Sequence, residues 1–267
     1  MAKDASDPIA RLRTFNLLAG ALHLVQAIVV LVLTNGRSLP VTAAFGNGPP
    51  GQPLGPLVLE KLFSYRIGYA VFTFLLLSSV FHFLVASPWG FPRYRSELAN
   101  TRNRFRWVEY SLSSSVMVVV IAGVVGITDI AALLGLAGVN ASMIFFGWLM
   151  ETTNKPGPTA NWAPFRFGSF AGIIPWIAIV VYTVGAATSD ATADAGTGEG
   201  VPGFVYGIFV SLFLFFNCFA ITQLLQYRAK GKWADYLRGE RSYIVLSLLA
   251  KSALAWQIFA NVLLPNV

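Results

Sequence analysis

Charge is scarce in this 267-residue chain: Lys, Arg, Asp and Glu together make up 12% of it. Soluble domains carry about 25%, so the chain lacks the material for an ordinary water-facing surface. Cysteine is nearly absent as well. Cys218 stands alone inside an apolar run, which excludes an internal disulfide and a cysteine-based metal site and reads as a packed small side chain. Two histidines without a third placed ligand make a weak metal site, so none is expected. There is no nucleophile–base constellation and no phosphate loop, and nothing points to enzymatic turnover. What the chain has in excess is apolar: 55% of its residues are hydrophobic.

Those residues fall into seven stretches near the ~20 residues that a membrane span needs: 14–34, 62–86, 107–127, 130–150, 167–187, 203–227 and 242–263. The expected fold is an all-α bundle of seven transmembrane helices in one domain, 1–267, without repeats. The weakest boundary is "GITDI" around Asp129, between spans three and four. The leading "MAKDASDPIARLR" is polar and the apolar run after it is long enough to stay inserted, so no cleavable signal is expected. Of the nineteen Lys and Arg, Lys251 lies within a span, fifteen flank the N-terminal side, and three (Arg37, Lys61, Arg66) fall on the other. The positive-inside rule then predicts a multi-pass cell-membrane protein with a cytoplasmic N-terminus and an extracellular C-terminus. The net charge of +7 reads as topology and contact with anionic membrane lipid, not as a nucleic-acid footprint.

The longest outer loop, 35–61, joins spans one and two; its "LPVTAAF" suits a short strand and "GNGPPGQPLGP" suits turns. The loop "TSDATADAGTGEG" between spans five and six is small and acidic. "RYRSELANTRNRFRW" reads as a helical lead-in to span three.

Ionisable groups inside spans cost about 2.5–3.5 kcal/mol each on insertion scales and are functional candidates by default. Setting aside span ends leaves Lys251, Glu109, His23 and His82. Lys251 and Glu109 invite pairing across the bundle. A purely structural pair is a poor source of stability, because desolvation offsets much of the attraction. An amine in an apolar pocket is instead suited to condense with an aldehyde, and the protonated imine needs one anion nearby. An aldehyde long enough to fill a bundle core suggests retinal. Depth is the difficulty. With 1.5 Å of rise per residue, Glu109 would lie ~3 Å inside span three and Lys251 ~13 Å inside span seven; a helix starting before Arg102 would close part of the gap.

"FRWVEYSLSSS" (105–115) and "SLLAKSALAWQ" (247–257), with seven spans and a cytoplasmic N-terminus, resemble the heliorhodopsins over essentially the whole chain. The resemblance implies all-trans retinal bound covalently to Lys251 as a protonated Schiff base, with Glu109 as sole counterion, and a homodimer. It also implies histidines near the Schiff-base region, here His23 and His82, which with Ser78, Ser79 and Gln26 would form a polar cavity or proton acceptor. Ser247 and Ser113 are the first choices for hydrogen bonds to the Schiff base or counterion. Ser113 shares the face of Glu109, whereas Ser111 and Ser114 point elsewhere; Ser114 is kept among the cofactor-binding candidates. For the pocket walls the resemblance favours Trp176, Phe216 and Met143, with Asn140 as a polar member.

Pumping rhodopsins usually carry a second carboxylate one turn before the lysine, where this chain has Ser247. They also carry a donor acid further along span three, where "VMVVVIAGVVGI" (116–127) has none. One buried acid favours a light sensor over a pump, acting on an unknown cytoplasmic signalling protein. A light-driven ion transporter with the same chromophore stands as one alternative. A transporter without chromophore, using Lys251–Glu109 as a gating pair, stands as another.

Overall fold

The computed structural model describes residues 7–46, 48, 58–188 and 203–264. Among the described residues, seven helices have the length and apolarity to cross a membrane. In chain order the elements are α1 (Pro8–Leu33), strands β1 (Ser38–Phe45) and β2 (Val58–Arg66), α2 (Ile67–Ala86), and the short α3 (Gly90–Ala99). They continue with α4 (Arg104–Val124), α5 (Ile130–Thr153), α6 (Ala163–Thr188), α7 (Gly203–Arg228) and α8 (Tyr236–Ile258), which ends in a π turn at Phe259–Leu263. All but α3 are the spanning helices, and they coincide with the seven apolar stretches of the sequence, except that residues 62–66, expected as the start of span two, belong to β2 because that strand pairs with β1. Beyond Thr188 the acidic loop read at 188–200, and most of the "GNGPPGQPLGP" turn region, lie outside the described residues.

Short polar side chains mark the helix starts. Asp7, Asn103, Asp129 and Asp235 each accept a hydrogen bond from a backbone N–H in the first turn of the helix that follows, which satisfies a donor that has no partner within the helix. Asp129 therefore ends the ambiguity at "GITDI": Gly126 turns the chain with a φ of 93° and Asp129 starts α5.

Neighbouring helices pack in the ring α1, α2, α4, α5, α6, with α7 against α8 and α8 closing onto α1. Contacts of α6 with α7 are sparse. α4 is the most enclosed span, and its Met117, Val120 and Ile121 sit in the main apolar core with Phe74, Leu75, Ile179, Leu212 and Leu254. Outward positions remain apolar, as at Val32, Phe170 and Val181, which is the signature of lipid-facing helices.

"LPVTAAF" is a strand as expected, and it pairs antiparallel with β2. The hairpin is tied to the bundle at the α4–α5 turn, where Thr42 N–H donates to the Thr128 carbonyl (2.9 Å) and the two hydroxyls lie 3.0 Å apart. The lead-in to span three differs from the expectation. It is a separate helix, α3, broken from α4 at Asn100–Asn103, where Thr101 takes a φ of 56°. α4 starts at Arg104, not before Arg102, because Asn103 folds its side chain back to cap Arg106 N–H at 3.1 Å.

Candidate functional site

Lys251 and Glu109 meet. The Lys251 Nζ lies 2.6 Å from Glu109 Oε1, and both side chains are almost wholly buried. The same ammonium donates to Ser247 Oγ at 2.9 Å, so it folds back one turn, ~5.4 Å, toward the start of α8. That retreat, not an extended α4, closes the difference in depth. Glu109 Oε1 also accepts from Ser78 Oγ on α2 at 2.7 Å. Ser113, one turn along α4, is fully buried and lies beside the carboxylate, yet its hydroxyl has no hydrogen-bond partner of proper geometry. Tyr110 donates to the Tyr243 carbonyl at 3.0 Å and holds its ring 5.2 Å from Nζ.

The ion pair separates two cavities. On the Lys251 side a largely apolar cavity, with about 810 Å³ of atom-free space including its opening, runs among α4, α5, α6, α7 and α8. Its walls include Trp107, Tyr110, Met117, Met143, Phe165, Phe216, Phe219 and Tyr243, and its polar lining includes Ser113, Ser114, Ser247 and Lys251. Gly147 and Gly168 keep it open on the α5–α6 side. A Cβ on Gly147 would come within 2.5 Å of the Trp107 ring. On the Glu109 side is a smaller, polar cavity lined by Asn16, Ser78, His82, Tyr94, Arg106, Glu109 and Glu240.

The expected residues are placed as follows. Ser247, Ser113, Ser114, Met143 and Phe216 line the large cavity with Lys251. Trp176 and Asn140 stand one layer behind. Trp176 is buried edge-on against Phe209, Phe213 and Phe216, and Asn140 donates to Ser114 and Ser115. His23 and His82 stack with ring centroids 5.6 Å apart. His82 Nδ1 pairs with Asn16 Oδ1 at 2.7 Å and faces the polar cavity, whereas His23 lies behind it with both ring nitrogens unpartnered. Gln26 turns away to accept from the Trp256 indole at 3.0 Å, and Ser79 is committed to the Gly20 carbonyl. Neither belongs to the cavity.

The expectation of one buried acid needs correction. Glu151 and Glu240 are buried as deeply as Glu109, and both are ion-paired to the buried Arg106. Glu151 accepts in addition from Trp107 Nε1 (2.6 Å), Tyr236 Oη (3.0 Å) and Asn103 N–H (2.9 Å). Glu240 accepts from Asn103 Nδ2 (2.6 Å) and Tyr94 Oη (3.2 Å). Both residues sit at span ends, where charges ordinarily reach solvent, so their position along the chain gives no sign of burial. The available signal was spacing: Arg106 precedes Glu109 by three residues and shares its face.

A seven-helix membrane bundle in which an acid grips a lysine deep in the last helix, beside a largely apolar cavity, defines the rhodopsin class of membrane protein. The family profile described as heliorhodopsin matches residues 12–263. The chain belongs to the heliorhodopsin family, and it is accordingly a retinal-binding, light-sensing membrane protein and not an enzyme. Among solved structures it is similar to cyanorhodopsin (CyR) from the cyanobacterium Tolypothrix sp. NIES-4075, with a TM-score of 0.47 and 12% identity over 92% of this chain and 94% of that one. No curated protein matches the chain.

The residues present fit a retinal. The large cavity has the apolar, aromatic lining usual for such a ligand, and its lining includes Lys251, the only lysine within a span among the described residues. The unpartnered Ser113 hydroxyl supplies a spare polar contact beside the Lys251–Glu109 pair.

Proposed function

We propose that Lys251 holds all-trans retinal as a protonated Schiff base with Glu109 as its sole counterion, and that light drives a conformational, signalling change without proton pumping. The observation that carries this reading is the 2.6 Å Lys251–Glu109 pair set between an apolar and a polar cavity. Lys251 Nζ would hold the aldehyde carbon as an imine, with the carbonyl oxygen lost as water and one positive charge left on nitrogen. Retinal, when bound, supplies the absorption of light and the change of shape.

The chain's own residues supply the rest. Glu109 neutralises the charge at the nitrogen, Ser78 and Ser247 orient the two partners, and Tyr110 closes the site toward the Arg106 cluster. The His23–His82 stack is the proton acceptor in this reading, supported by the position of His82 on the polar cavity. A pump would need free acids on both sides of the nitrogen. Glu151 and Glu240 are engaged by Arg106, and the α4 segment beyond Ser115 carries no carboxylate. The cytoplasmic placement of the N-terminus rests on the charge asymmetry. Self-association as a dimer and a cytoplasmic signalling partner belong to the same proposal.

Adding all-trans retinal to the purified chain should produce a visible band, and Lys251→Ala should abolish it. Borohydride should trap the retinyl group on the peptide that contains Lys251. Trapping on any other lysine would overturn the assignment. Illuminated cells should leave the pH of their medium unchanged; a protonophore-sensitive change would replace the sensor with a transporter.

A further inference from the structure

An open recess, with about 1330 Å³ of atom-free space including its opening, lies at the end of the bundle where α6 starts and α7 stops, and shares Phe165 with the large cavity of the retinal site. Three cations line it: Arg166 on α6, Arg228 at the end of α7, and Lys230 just beyond. No acid lines it, and none of the three cations forms an ion pair among the described residues. The rest of its lining is mostly apolar, with Trp162, Phe165, Leu224 and Pro158.

The recess is built, not incidental. The α5–α6 loop is pinned to α7 by a hydrogen bond from Gly157 N–H to the Tyr227 carbonyl at 3.0 Å, and Gly157 takes a φ of 142° that suits glycine. After Arg228 the chain turns sharply through Ala229, a non-glycine residue at a φ of 49°, which places Lys230 on the same recess. Helix stability accounts for only part of the charge. Arg228 ends α7 and Lys230 lies just beyond, where cations offset the helix dipole. Arg166 sits in the first turn of α6, where a cation meets the positive end of its own helix.

We propose that this recess binds the phosphate headgroup of an anionic phospholipid, with Arg166, Arg228 and Lys230 on the phosphate and Trp162 and Phe165 against the start of the acyl chains. The lining matches an amphiphile in both of its parts, and aromatic side chains are favoured at the membrane–water boundary. Cations placed at the lipid surface attract anionic headgroups. Phe165 also lines the large cavity, so the lipid would sit one side chain away from the chromophore.

The test is native mass spectrometry of the retinal-loaded protein, titrated with equal amounts of phosphatidylglycerol and phosphatidylcholine. A triple variant, Arg166→Gln, Arg228→Gln and Lys230→Gln, is compared with one carrying Arg93→Gln, Lys232→Gln and Arg241→Gln, cations of the same end outside the recess. The visible band reports that each variant is folded. Retained phosphatidylglycerol should fall about fivefold per recess cation removed, while the control triple stays near wild type. Equal losses in both triples would overturn the proposal in favour of diffuse surface attraction. It would equally be overturned if calorimetry found inorganic phosphate bound through these residues while lipid retention was unaffected by their loss.

Discussion

Glu109 shows at the scale of one residue why the site needs a single, well-held acid. Its carboxylate accepts from Lys251 and Ser78 at 2.6 and 2.7 Å. Glu109→Gln removes the negative charge but leaves the amide able to hydrogen-bond. The positive Schiff base then lacks its balance. The expected outcome is a pigment that shifts into the near ultraviolet at neutral pH, or whose colour depends on added chloride. An absorption titration of the variant measures this, and an unchanged spectrum would mean that another group is the counterion. Ser78→Ala should have a smaller effect in the same assay, because it removes one neutral donor worth about 0.5–1.5 kcal/mol. Lys251, Glu109, Ser247 and Ser113 were legible because each is an unusual residue at a fixed spacing on a membrane helix. Ser78 was read only as a neighbour of His82. Its contact with Glu109 is across helices, and no spacing within α2 encodes it.

Elements meet at the Arg106 cluster, which joins α3, α4, α5 and α8 at the end of the bundle. Breaking one partner of a buried ion pair costs about 3–5 kcal/mol, since the remaining charge stays buried and unpaired. Arg106→Ala should therefore lower the thermal midpoint of the pigment markedly, followed as loss of the visible band on heating. Replacing Arg106, Glu151 and Glu240 together by apolar residues of similar size should recover much of that loss. The hairpin offers an independent case. Burial pushes the Tyr65 phenol up to about 12. An unfolded tyrosine ionises near 10, so between those values the native state keeps a proton that the unfolded state has lost. Stability from this residue is complete below about pH 10 and declines as pH rises toward 12. Tyr65→Phe should lessen the alkaline loss of stability, measured as the midpoint against pH. The boundaries of α3 and α4 were missed for a related reason: "RYRSELANTRNRFRW" has helical composition throughout, and the break depends on the Asn103 cap and the α3 packing of Tyr94 and Leu98 against Leu12 and Ile244.

At the scale of the whole molecule, the cavity exists because helices from distant parts of the chain leave a gap beside Lys251. Gly147 and Gly168 matter here. Gly147→Val should force the Trp107 ring aside or into the cavity, since even a Cβ would lie 2.5 Å from it. Slower or incomplete pigment formation with retinal is the expected readout, against unchanged formation in a conservative control such as Leu134→Ile on the exposed face of α5. Seven spans, their limits to within six residues and the unusual lysine were determined by the sequence alone, because solvation in lipid acts on every residue locally and leaves a periodic apolar record. The tertiary structure alone decided the rest. It placed the Lys251 ammonium one turn back beside Glu109, set Trp176 and Asn140 behind the cavity wall, and drew Glu151 and Glu240 onto Arg106. Those outcomes depend on how close separate helices approach, and a buried charge takes whichever partner that packing brings within reach.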